Sequence, residues 1–220
     1  MRATVTWHAR ALGTALLVMV VGLAGCVARS TPKAPTTPSA PTGPTGGTFS
    51  TFALPTNPDP ARYAPEVRTY AVAAGADPVL LMAILYNEDY KPHDAAFERA
   101  WQRMNPDAAF GIANMHQAAF DDTKQGRDFA SRDWHELPDD PALAIDAAAW
   151  YLHDLAGRLP ARNTSHHTTT DLLAIGYNAG PTTMTDIANG AHLSDQVQSY
   201  LDTLHNNWAR ATTALAVTSR

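Results

Sequence analysis

From Val79 to Leu85 the chain reads Val-Leu-Leu-Met-Ala-Ile-Leu, without one polar residue. Asp77-Pro78 just ahead supplies a capping side chain and a first-turn proline, and Pro92 disfavours helical geometry at Lys91, so a helix ends close to Tyr90. A helix that is apolar on every side has no face for water and must sit inside a domain, wrapped by other elements. It closes on two adjacent carboxylates, Glu88 and Asp89. A buried acid is costly unless it is paired or has a task.

The wrapping elements also read as helices, because capping residues, prolines and glycines recur while alternating strand-type runs are nearly absent. Asp59-Pro60 opens a helix to about Ala74 with Gly75 past its end, and another runs from about Asp94 to Met104. After the break at Asn105-Pro106-Asp107, "AAFGIANMHQAAF" starts short and Gly-containing and then begins a helix ending near Gly126. Asp140-Pro141 opens an amphipathic segment with Leu143, Ala147, Trp150, Tyr151 and Leu155 on or near one face. Thr170 is the expected cap of "DLLAIGYNAG", Pro181 begins a short helix stopping at Gly190, and Ser194 caps a last helix through Tyr200 and Trp208. The expected fold is mostly α.

The first 60 residues belong to none of this. Arg2 and Arg10 precede an apolar run from Ala11 to Ala24, about 14 residues where roughly 20 are needed to span a bilayer, so 1–25 reads as a signal peptide. Leu23-Ala24-Gly25-Cys26 resembles a bacterial lipobox, which implies cleavage before Cys26 and lipidation of its thiol. Cys26 is the only cysteine of the 220 residues, so the fold has no internal disulfide. Pro32, Pro35, Pro38, Pro41 and Pro44 recur among Thr, Ser and Gly, and 26–60 is expected to be an extended tether. The remaining 61–220 suit one domain.

Charge narrows the partners. The chain has a formal charge of −5, and 61–220 hold 12 Lys and Arg against 20 Asp and Glu, with no basic cluster or phosphate loop. Nucleic acid is therefore not expected as a partner. His166-His167 lacks the helical spacing and carboxylates of a metal site, so no metal or cofactor is expected. Trp101, Trp134, Trp150 and Trp208 are explained by core positions as well as by a stacking surface.

Glu88 carries the chemistry. A last-turn position, the neighbouring Asp89 and an apolar helix all disfavour its ionised form, and a carboxyl kept protonated near neutral pH can donate a proton to a leaving oxygen. In order after "AILYNED" come "FGIANMH", "AIGYNAGP" and "QSYL". In that order the chain resembles the soluble lytic transglycosylase family, over roughly Tyr63 to Trp208. The resemblance implies a lysozyme-like domain of roughly seven helices around a central buried helix, and peptidoglycan glycan strands as substrate. It further implies Glu88 and Tyr177 as catalytic residues, Tyr177 holding Glu88 or the substrate's acetamido group. Substrate contacts are implied for Gly111, Ile112, Asn114, Met115, Asn178 and Tyr200.

Two positions depart from the family pattern: Asp89 stands where Ser is usual, and Ala113-Asn114 where Met-Gln is usual. If Asp89, Asp94, Asp107 or Asp121 orients a water, the chain is a muramidase; if the departures abolish turnover, it is a wall-binding lipoprotein. The expected setting is the cell envelope, with a monomer anchored to the membrane through Cys26.

Overall fold

The structure is a computed structural model that describes residues 57–216. The expected signal peptide, Cys26 and nearly all of the expected tether lie outside the described residues. Within them are seven α-helices: α1 Ala64–Ala74, α2 Pro78–Glu88, α3 Ala95–Met104, α4 Gln117–Thr123, α5 Pro141–Arg158, α6 Thr169–Ala188 and α7 Asp195–Ala216. No helix among them is long and apolar enough to cross a membrane.

The all-apolar helix α2 is the centre. Every residue from Leu80 to Glu88 is buried, from 0% to 7% exposed. Large apolar side chains such as Leu81, Met82 and Ile84 each contribute about 1.5–3 kcal/mol by leaving water. Helix α7 lies along α2 most extensively, while α1, α6 and the turn before α1 complete its surroundings. The outer helices are amphipathic, as their position demands. In α1 the buried residues are Ala64, Val67, Ala71 and Ala74, and in α7 Val197, Leu201, Leu204, Ala211 and Ala214, the three-and-four spacing of one helical face. Helix α5 packs α1 on one side and α6 on another. Its buried Ala144, Ala147, Ala148 and Ala149 suit it to that crowded position.

Local chemistry sets the boundaries. Asp77 Oδ1 accepts the Val79 N–H at 2.8 Å, Asp94 that of Phe97 at 2.8 Å and Asp140 that of Leu143 at 3.0 Å, satisfying donors that helix starts leave free. Gly75 ends α1 in the left-handed conformation, φ 68°.

Three details differ from the sequence expectation. The helix expected from Asp59-Pro60 begins as a 3-10 turn, Pro60–Tyr63, because Pro65 has no N–H to continue an α ladder back to Ala61. The cap of α6 is Thr168 and not Thr170. Only Thr168 has an acid three residues on: its Oγ1 accepts the Asp171 N–H at 3.1 Å, and Asp171 accepts the Thr168 N–H at 3.0 Å. The short helix expected to begin at Pro181 does begin there: Gly180, with φ 87° and ψ 163°, leaves helical geometry, so the span of α6 holds two helices joined across a kink. Finally, α4 ends at Thr123, and the segment after it holds an unexpected 3-10 turn, Trp134–Glu136.

Candidate active site

The site forms where the C-terminal end of α2 meets the Gly111–Met115 turn and the middle of α6 and α7. Glu88 is the last residue of α2 and only 6% exposed. Helix ends leave carbonyls without intrahelical partners. Here the Glu88 carbonyl accepts from Asn114 Nδ2 and from His93 Nε2, each at 3.1 Å. The carboxylate is held from two sides. Tyr200 of α7 donates its hydroxyl to Oε1 at 3.0 Å, and Asn114 Nδ2 donates to Oε2 at 2.9 Å.

The turn that delivers Asn114 is tight. Phe110 and Met115 exchange two backbone hydrogen bonds, both 3.0 Å, and the Asn114 N–H reaches the Gly111 carbonyl at 2.9 Å. Gly111 has φ 71°, and a Cβ there would stand 2.8 Å from the Leu137 carbonyl oxygen, so glycine is required on both counts. Asn114 is itself left-handed, φ 46°, a region in which asparagine is one of the few residues tolerated. Trp134 buttresses the turn, stacking on Phe110 at 4.1 Å and donating from Nε1 to the Met115 carbonyl at 2.8 Å. The Asn114 amide has one possible orientation. Turned over, its Oδ1 would face the Glu88 carbonyl oxygen; as placed, Nδ2 serves two acceptors and Oδ1 is left without a partner.

Burial raises the Glu88 pKa above the ordinary carboxyl range, and the donors Asn114 and Tyr200, with the charges of Lys91 and His93, only partly oppose it. Such a carboxyl holds its proton to higher pH than a solvated one. Burial also raises the phenols of Tyr177 and Tyr200, with the Glu88 charge adding to the effect, so both stay neutral donors.

Behind Glu88 lies a second buried acid that the sequence reading did not single out. Glu98 of α3 is 2% exposed and accepts the Gly111 N–H at 2.8 Å; His93 Nδ1 stands 3.0 Å and Lys91 Nζ 3.3 Å from its other oxygen. Burial works to raise its pKa, but His93, Lys91 and the Gly111 N–H together outweigh burial and lower it. On α3 the hydropathy is inverted: Glu98 faces inward while Trp101 is 48% and Met104 70% exposed. A hydropathy pattern assigns Trp101 to the core and Glu98 to water. The signal that was present is the pair of cationic types, Lys91 and His93, directly after the helix stop.

A groove of about 370 Å³ runs beside this centre, bounded by Asn114, Met115 and His116 on one wall and Tyr177, Asn178 and Pro181 on the other. Tyr177, expected to hold Glu88 or an acetamido group, donates to the Ala113 carbonyl at 2.7 Å, tying α6 to the glycine turn. Tyr200, expected among the substrate contacts, holds the Glu88 carboxylate. Gly111 is packed under Leu137 and Ala144, and Ile112 is half-buried beside Asp89 in a separate small recess. Of the expected substrate contacts, Asn114, Met115 and Asn178 line the groove.

The acids considered as water-orienting groups lie elsewhere. Asp89 Oδ1 accepts from Asn57 Nδ2 at 2.7 Å, Asp94 caps α3, and Asp107 and Asp121 line another recess. The groove's own carboxylates are Asp122 and Asp154, and Asp154 is paired with Arg127 at 2.6 Å. No cluster of His, Cys, Asp or Glu able to hold a metal ion occurs among the described residues.

No curated protein matches the chain. Residues 66–212, about two thirds of its length and all seven helices in part or whole, match the Transglycosylase SLT domain. The mostly helical fold around a central buried helix is that of a lysozyme-like domain, and the chain belongs to the transglycosylase SLT domain family, whose activity is directed at peptidoglycan.

Proposed function

We propose that the chain is a peptidoglycan lytic transglycosylase with Glu88 as its general acid and base. The reading is carried by the setting of that one carboxyl: buried, raised in pKa, and held only by neutral donors on its two oxygens. Glu88 protonates the oxygen of the β-1,4 bond leaving N-acetylmuramic acid. The resulting carboxylate then takes the proton of the muramyl 6-hydroxyl as that oxygen closes a 1,6-anhydro ring on C1. The proton given is thereby recovered, and no water enters. One acid suffices because the nucleophile belongs to the substrate, in contrast with the two-carboxylate glycosidases.

Asn114 and Tyr200 hold the carboxyl in place and stabilise the charge it acquires after the first transfer. Tyr177 fixes the turn that carries Asn114. Lipidation at Cys26 and the tether 26–60 would hold a monomeric domain 61–220 at the membrane of the cell envelope, within reach of glycan strands.

A hydrolytic reading survives in one form: Asp122, an exposed carboxylate on the groove wall, would orient a water. Digestion of purified peptidoglycan followed by mass spectrometry decides. Anhydro-muramyl ends support the transglycosylase, and reducing ends that disappear in Asp122→Asn support the hydrolase. Absence of released fragments overturns the assignment as an enzyme.

A further inference from the structure

The buried Lys91–His93–Glu98 cluster takes no part in the proton transfers above, yet it touches both pieces of chain that build the site. Glu98 Oε2 accepts the N–H of Gly111, the first residue of the turn that ends in Asn114. Glu98 Oε1 faces His93 Nδ1, and the opposite edge of the same imidazole, Nε2, meets the Glu88 carbonyl. The side chains of His93 and Glu98 are 4% and 1% exposed. Asn57 locks the intervening loop, with Nδ2 on the Lys91 carbonyl at 2.6 Å and Oδ1 on the His93 N–H at 2.7 Å. Lys91 Nζ adds a bond to the Ala109 carbonyl at 2.8 Å, two residues before the turn. One carboxylate thus joins the end of α2 to the glycine turn, and a buried charge is retained in this way only if several donors meet it.

We propose that Glu98 is a positioning residue for the acid: by clamping the end of α2 to the Gly111–Met115 turn, it keeps Asn114 against the Glu88 carboxylate. The inference rests on the reading of Glu88 as proton donor. It also predicts where a defect shows. Loss of the clamp loosens the Asn114 hydrogen bond and leaves the groove walls formed by Tyr177 and Asn178 untouched.

The test compares the native chain with Glu98→Gln, which keeps shape and removes charge. On peptidoglycan, kcat is expected to fall about tenfold, the worth of one charge-assisted hydrogen bond, with KM within about twofold. Arg99→Ala, on the same helix as Glu98, breaks a surface pair with Asp139 and changes neither. The Glu88 carboxyl, followed by carbon NMR in glutamate-labelled protein, is expected to titrate at higher pH in Glu98→Gln, because the Asn114 donor, which favours its ionised form, is loosened. The other titratable groups facing it, Tyr90, Lys91 and His93 beyond α2, Tyr177 on α6 and Tyr200 on α7, are present in both proteins. An unchanged kcat with an unmoved Glu88 titration overturns the proposal, whatever happens to the melting temperature. If the native chain releases no fragments, the enzymatic reading fails, and the titration alone decides on positioning. Should Glu98→Gln not fold, His93→Gln, which cannot span both Glu98 and the Glu88 carbonyl, is read against the same two outcomes.

Discussion

Glu88 and Glu98 are the same residue type, buried to nearly the same degree and joined through one imidazole, yet burial leaves one with a raised pKa and the other with a lowered one. The difference lies in what faces each carboxylate. Glu88 receives a phenol and an amide, neutral donors that partly offset desolvation. Glu98 receives a backbone N–H, a lysine and a histidine, and these more than offset it. Depth in the core therefore does not decide whether a carboxyl gives up its proton; the class of its partners does. A carboxyl that keeps its proton to higher pH and one that loses it readily sit side by side because the lysine and histidine are gathered around the second.

The sharpest division between the two comes from removing each in turn. Glu88→Gln should lower fragment release from peptidoglycan by about 10²–10⁴, the range for loss of a general acid, while the melting temperature holds or rises at neutral pH. The sign follows from the raised folded-state pKa: above the unfolded value the ionised group costs stability, and the amide relieves that cost. Glu98→Ala should behave in the opposite sense, losing about 3–5 kcal/mol in denaturant titrations because buried cationic groups are left without their anion. Its folded-state pKa is lowered, so the stability Glu98 contributes is present above the unfolded value and is lost as pH falls through the folded one. If both variants lose stability alike, the contrast drawn between the two acids is wrong. A finer probe is Tyr200→Phe, which removes the donor to Glu88 Oε1. Activity should fall about tenfold, and the pH–rate profile should move upward, since a donor favouring the ionised form is gone.

The sequence shows the Glu88 half of this contrast and hides the Glu98 half. The unbroken apolar run from Val79 to Leu85 demands a central helix, and the caps Asp77, Asp94 and Asp140 mark three helix starts correctly. Glu88 is legible because it is a polar residue at the end of that run. Glu98 is not, because a glutamate on an amphipathic helix also carrying Phe97, Trp101 and Met104 looks like part of its wet face; only tertiary contact reveals that Trp101 takes that place. The handover between tyrosines has the same cause. Tyr177 lies in the more distinctive motif, but Tyr200, 112 residues from Glu88 along the chain, is the one whose hydroxyl arrives at the carboxylate. Periodicity places a residue on a helix face; it does not say which of two facing phenols is nearer. Thr168 shows the local version: three consecutive threonines offer themselves as cap, and the choice depends on Asp171 being three residues beyond the first.

A third acid tests whether a raised pKa by itself marks a catalytic group. Asp146 on α5 is pushed up to about 6, first by burial and then by the neighbouring Asp128, with Arg127 and a hydrogen bond from Trp150 opposing. It resembles Glu88 in direction but has neither Asn114, which lines the groove, nor Tyr200 beside it. Between the unfolded aspartate value and about 6 the folded chain binds the proton more tightly, so ionisation costs stability progressively over that interval and fully above it. Asp146→Asn should therefore stabilise the fold at pH 7 by about 1 kcal/mol, after allowing for the solvent that screens a half-buried group. The gain should vanish below roughly pH 4, where both proteins are uncharged at this position. Thermal melts at the two pH values measure it, and fragment release should be unchanged. An Asp146→Asn variant that lost activity as Glu88→Gln does would dissolve the distinction, because a desolvated carboxyl would then matter to turnover without any of the partners that set Glu88 apart.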